Sequence, residues 1–99
     1  FAGPLYRFEV SLDKMINEDL SFNIVLRKKD ECQTLADKIN LFNSNLSSNL
    51  STMTAMAAEI ETQHEKLKEK YGTSDVLGNA VKANTRMKDI LSGYKFKRA

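Results

Sequence analysis

Apolar residues recur at steps of three and four near the start of the chain, at Leu5, Phe8, Leu12 and Met15. This spacing places them along one edge of a helix, with charged and polar residues elsewhere on its surface. Pro4 suits the first turn of such a helix, because the N–H of that position is unpaired in any case. The pattern predicts a helix over about residues 4–17.

A second and longer stripe begins after Asp30, a good N-cap residue, and Glu31, whose negative charge suits a helix N-terminus. Its members are Cys32, Leu35, Ile39, Phe42, Leu46, Leu50, Met53, Ala57, Ile60, His64, Leu67 and Tyr71. We therefore expect one helix over residues 30–71, about 60 Å long, which needs partners along its length. Two successive steps of four begin at Phe42 and form a stutter, which locally unwinds a left-handed coiled coil.

A third helix is predicted between Ser74 and Gly93, with Gly72 as the C-cap of the helix before it. Its apolar stripe is Val76, Ala80, Ala83, Met87 and Ile90. The sequence leaves open whether this helix folds back on the second helix or continues it. The basic tail that follows, residues 94–99, is expected to be solvated.

A polar connector, residues 18–30, joins the first two helices, and Leu20 and Ile24 are its predicted anchors. Thirteen extended residues reach about 40 Å, at roughly 3.3 Å each. The first helix is only about 21 Å long. The connector is therefore long enough to run back along the first helix, so that a parallel pair of helices is permitted but not required.

Composition narrows the functional classes. The net charge of +2 is too small for a nucleic-acid footprint, and the one cysteine excludes an internal disulfide framework. No Ser/His/Asp arrangement, glycine-rich phosphate loop or cysteine cluster is present, and no second His or Cys lies three or four residues after His64. We expect neither an enzyme nor a metal or other cofactor, and no nucleic-acid partner.

The residues Gly3-Pro4, Glu9, Leu12, Asp19-Leu20, Ile24 and Asp30-Glu31 together resemble the layout of a HAMP domain, the linker module of bacterial transmembrane receptors. The resemblance covers about residues 3–50. It implies that Leu20 and Ile24 hold the connector against the helices, and that Glu31 ties the start of helix 2 to the start of helix 1. It also implies that the size of Leu12 biases two packings, although a plain core leucine remains the alternative.

The resulting expectation is an all-α protein that forms a parallel homodimeric four-helix coiled coil with a long C-terminal helical extension. The domains would be a helix–connector–helix unit at 1–50, a coiled-coil continuation at 51–71, and a third helix with its tail at 72–99. The dimer seam would consist of Leu5, Phe8, Leu12, Met15, Cys32, Leu35, Ile39, Phe42 and Leu46.

The resemblance implies signal relay at the cytoplasmic face of the inner membrane. A transmembrane helix upstream of residue 3 would supply the input, and a downstream signalling domain or partner would receive the output. The alternative is a cytosolic helical adaptor that binds partner helices and has no role at a membrane.

Overall fold

The computed structural model describes residues 3–26 and 32–97, and within them the regular structure is all α-helical. The helices are α1 (Pro4–Ile16), α2 (Gln33–Tyr71) and α3 (Asp75–Ser92). The chain divides into two compact units. The first runs to Asn49 and resumes at Tyr94, and the second is Leu50–Gly93. No helix in the described residues combines the length and hydropathy that a membrane span requires.

The end of α1 reverses the chain through a Schellman motif. The amide of Glu18 donates to the Met15 carbonyl at 3.0 Å, and the amide of Asp19 donates to the Lys14 carbonyl at 2.8 Å. Glu18 has a φ of 66°, in the left-handed region where most L residues incur strain of about 1 kcal/mol or more. The chain leaves this turn directed back along α1.

The connector returns to the start of α1 and meets the start of α2 there. Phe8, Ile24 and Ala36 are each buried and form one cluster, with the flanking apolar residues Phe22, Leu26, Cys32 and Ile39 packed against it. Arg7 Nη1 donates to the Val25 carbonyl at 3.0 Å. Because the first turns of both helices contact the same stretch of connector, α1 and α2 run parallel within this unit.

The second unit is a helical hairpin, in which α3 folds back on the C-terminal half of α2. Gly72 makes the turn with a φ of 78°, and its amide donates to the Lys68 carbonyl at 2.8 Å. The Ser74 side chain caps α3 by accepting from the Leu77 amide at 3.1 Å. Asn84 Nδ2 then donates to the Ala57 carbonyl at 3.0 Å, which ties the two helices together.

The covered face of α3 differs from the predicted stripe. Asn84 and Leu91 are buried, whereas Val76 is 80% exposed and Ile90 is 55% exposed. The reason is that the amide of Asn84 bonds to a backbone carbonyl of α2, so a polar residue occupies the inner face. A pattern of apolar residues alone does not reveal such a position.

Two glycines of this hairpin provide a matched test of the turn. Gly72→Ala should destabilise the chain by about 1 kcal/mol or more, because alanine is strained at positive φ. Gly78→Ala should stabilise it by about 0.5–1 kcal/mol, because Gly78 lies inside α3 and a Cβ there meets nothing within 4 Å. Urea unfolding followed by circular dichroism measures both changes. Shifts of the same sign would contradict the role of Gly72 in the turn.

Candidate functional site

The predicted seam of the first unit divides into covered and uncovered positions. Phe8 is buried, and Met15, Cys32, Ile39 and Leu46 are half-buried. The four large residues left exposed are Leu5 (76%), Leu12 (45%), Leu35 (49%) and Phe42 (57%). They form one pair on α1 and one pair on α2, and the members of each pair are seven residues apart. Each helix therefore carries an apolar stripe that the rest of the described chain does not cover.

The connector lies against a different face of α2. Leu20 is 2% exposed and Ile24 is 5% exposed, so both predicted anchors are buried. The side chain of Asn40 makes two hydrogen bonds with the backbone of Ile24. The Ile24 amide donates to Asn40 Oδ1 at 2.7 Å, and Asn40 Nδ2 donates to the Ile24 carbonyl at 3.0 Å. A helical side chain thus bonds the connector as a neighbouring strand would.

Sequence reasoning did not identify this second face of α2. It consists of the small or polar residues Ala36, Asn40, Asn43 and Ser47, at steps of four, three and four. Asn43 and Ser47 are 0% and 1% exposed, and neither amide atom of Asn43 has a hydrogen-bond partner among the described residues. The helical periodicity of these positions was the available signal, but their polarity suggested only weakened helix propensity.

The C-terminal tail is also part of this site, which corrects the expectation that it is solvated. The Lys95 amide donates to the Glu18 carbonyl at 2.8 Å, and the Leu20 amide donates to the Lys95 carbonyl at 2.6 Å. Asp19 and Lys95 thereby form a parallel β-bridge. The Lys97 amide reaches the Ser47 hydroxyl of α2 at 3.3 Å. Backbone groups make these bonds, so the sequence of the tail does not display them.

Asp19, beside this bridge, accepts two bonds from Ser21. The Ser21 hydroxyl donates to its carboxylate at 2.6 Å, and the Ser21 amide does so at 3.0 Å. Both bonds lower the pKa of Asp19, and the bond from the hydroxyl has the larger effect. Partial burial acts in the opposite direction, whereas the positive charges of Lys95 and Lys14 lower the pKa further. The ionised carboxylate therefore holds the chain in the extended conformation in which it leaves α1.

Two further candidates from the sequence are the acidic pair and His64. The predicted acidic pair, Asp30 and Glu31, falls outside the described residues. His64 belongs to the second unit, where it is half-buried in the hairpin beside Leu67 and Leu77. The structure therefore assembles the connector anchors, the tail and the inner face of α2 in one place, and His64 belongs to a separate environment.

Comparisons of the chain with protein-family models, with curated proteins and with solved structures give no match. The geometry of the chain itself must therefore support any functional proposal.

Asn40 and Asn43 lie almost one turn apart on the same face and should respond oppositely to alanine. Asn40→Ala should destabilise the chain by about 2–3 kcal/mol, because it leaves the amide and the carbonyl of Ile24 without their hydrogen-bond partner. Asn43→Ala should be neutral or stabilising by up to about 1 kcal/mol, since removing two unpaired buried atoms offsets the lost packing. Urea unfolding checks both values. A similar loss of unfolding free energy in both variants would contradict the importance of the two hydrogen bonds between Asn40 and Ile24.

The lowered pKa of Asp19 predicts that the stability of the folded chain depends on pH. A carboxyl whose pKa is lower in the folded state contributes stability above its ordinary pKa of about 4 and loses it as the pH falls through the lowered value. Ser21→Ala removes the strongest cause and should raise the Asp19 pKa, as read from the carbon-13 signal of the carboxyl group during a titration. Ser48→Ala, at an exposed serine of α2, is the control and should leave that pKa unchanged.

Proposed function

We propose that residues 3–50 are a HAMP-like relay module, which works as a parallel homodimer on the cytoplasmic side of a membrane and passes a conformational change from a transmembrane helix to a downstream output. The observation that carries the proposal is the parallel pair of helices whose connector has buried anchors at Leu20 and Ile24, while the predicted seam residues Leu5, Leu12, Leu35 and Phe42 are left exposed.

A parallel pair suits a relay because the starts of both helices are at the same end. Phe8 on α1 and Ala36 on α2 pack against the same connector residue, Ile24. A displacement of α1 along or around its axis must therefore move this shared cluster. Packed clusters change between discrete arrangements and do not deform continuously, so α2 would receive the displacement as a shift between two packings.

The exposed stripes supply the reason to dimerise. Full burial of a large apolar side chain is worth about 1.5–3 kcal/mol, and a second copy would cover the same stripes by symmetry. Among the predicted seam residues, Leu5 and Leu12 on α1 and Leu35 and Phe42 on α2 gain most, because each is at least 45% exposed in the single chain. The free-energy difference between two such packings would be much smaller than the total, as switching requires.

Exposed apolar residues of α2 also occur beyond Phe42. Met53, Ile60 and Leu67 are each exposed by more than a third. The step from Phe42 to Met53 is eleven residues, and the next two steps are seven. Because eleven residues is the period of a locally unwound coiled coil, a dimer would cross a stutter here before resuming heptad packing.

Cysteine cross-linking tests the parallel dimer. In a Cys32→Ser background, Leu12→Cys should form a disulfide-linked dimer under mild oxidation, because equivalent residues of a parallel seam face each other within disulfide range. Asp13→Cys is the matched control: it is also exposed and lies about 100° further round the same helix. Non-reducing electrophoresis measures the fraction of disulfide-linked dimer, which should be much lower for Asp13→Cys than for Leu12→Cys.

Equal cross-linking at both positions, or a monomer by sedimentation, would overturn the relay proposal. A monomer would favour the second candidate function, a helical adaptor. The observation in its favour is a groove on the hairpin of the second unit, lined in part by Leu67, Tyr71, Val76 and Ala80. Such a groove has the apolar character that suits the seam of a partner helix.

A further inference from the structure

The last described residues, Tyr94–Lys97, join the first unit through a single parallel β-bridge between Lys95 and Asp19. Lys95 donates its amide to Glu18 and accepts from the amide of Leu20, the alternation of bonds that a parallel strand pair makes. Glu18 belongs to the turn that ends α1, and Leu20 is the first buried residue of the connector. The tail therefore fastens the connector at the point where it leaves α1.

A second set of bonds attaches the same residues to α2. The Lys97 amide donates to the Ser47 hydroxyl at 3.3 Å, and its Nζ lies 3.4 Å from the Ser44 hydroxyl. Lys97 Nζ also bonds to Asn23 Oδ1 of the connector. These few residues thus contact the end of α1, the connector and α2.

We propose that Tyr94–Lys97 is an intramolecular latch that keeps the connector docked on α2, so that release of the tail and release of the connector are one event. The latch closes within a single chain. It therefore goes beyond the proposed relay and does not depend on a second copy.

The coupling follows from how the connector is held. Leu20 and Ile24 are its buried anchors; the backbone of Leu20 is bonded to Lys95, and that of Ile24 is bonded to Asn40. An extended segment has no internal hydrogen bonds of the kind that keep a helix together. If Lys95 leaves, the Leu20 amide loses its partner, and the bonds between Ile24 and Asn40 are then left to hold the connector on α2.

Asn43 reduces the cost of opening the latch. It lies between Asn40 and Ser47 on the face of α2 that the connector and the tail cover, and its amide is buried with no partner in the described part of the chain. Unpaired buried polar groups favour any state in which water reaches them. The closed state therefore contains a built-in opposing contribution, as expected for a contact that opens during function.

Amide hydrogen exchange of the full chain, followed by NMR, tests the latch. Lys95→Pro removes the N–H that donates to Glu18, and Lys95→Ala is the matched control because it removes the same side chain and keeps that N–H. In Lys95→Pro the amides of Leu20 and Ile24 should both exchange about tenfold faster or more, although only Leu20 is bonded to the tail. In Lys95→Ala both rates should stay close to the native ones.

The coupling must also work in reverse, because linkage between two contacts is reciprocal. Asn40→Ala, which does not touch the tail, should accelerate exchange of the Lys95 amide by about the same factor as Lys95→Pro accelerates Ile24. Ser47→Ala is a milder variant, which removes only the hydroxyl that accepts from Lys97 and should accelerate Leu20 and Ile24 together. It keeps the test decisive if Lys95→Pro does not fold.

Faster exchange at Leu20 with an unchanged rate at Ile24 would overturn the latch, because the tail would then protect only the amide to which it is bonded. Unchanged rates at both amides would overturn it as well. The latch and the relay dimer fail separately. A monomer with coupled exchange removes the relay dimer and leaves the latch, whereas a dimer cross-linked at Leu12→Cys with uncoupled exchange does the opposite.

Discussion

The first unit depends on how an extended segment is satisfied when no sheet surrounds it. The connector is buried at Leu20 and Ile24, so its backbone donors and acceptors need partners that water cannot supply. The amide side chain of Asn40 provides them for Ile24, the backbone of Lys95 provides one for Leu20, and the guanidinium of Arg7 adds a bond to the exposed residue Val25. Each comes from a different element, and the connector therefore holds α1, α2 and the tail in one arrangement.

This demand explains why α2 carries two different faces. An apolar stripe alone would pack a second helix but would leave the connector without hydrogen-bond partners. The face that meets the connector is instead built from Ala36, Asn40, Asn43 and Ser47. Asparagine and serine lower intrinsic helix propensity by a few tenths of a kcal/mol each, so the helix accepts a local cost for tertiary bonds. Leu35 and Phe42 remain available on the other face.

Much of the fold is predictable from apolar spacing and caps. The predicted helices at 4–17, 30–71 and near 74–93 correspond to Pro4–Ile16, Gln33–Tyr71 and Asp75–Ser92, and the sequence marked Leu20 and Ile24. What spacing missed shares one physical cause: contacts made by polar side chains or by the backbone. Asn40, Asn84 and the Lys95 bridge belong to this class, because a hydrogen bond at a tertiary contact leaves no apolar period in the sequence.

The same distinction bears on how the unit can switch. Apolar stripes resist separation but depend less on exact orientation than hydrogen bonds do, since burial has little directional preference. Hydrogen bonds such as those between Ile24 and Asn40 are directional and are lost after a small displacement. A module that must change packing without falling apart therefore needs both: an apolar surface that persists through the change, and a few directional bonds that differ between the states. In the first unit the directional bonds between elements are concentrated on the connector. In the proposed relay, the connector and not the apolar stripes would therefore distinguish one packing from another.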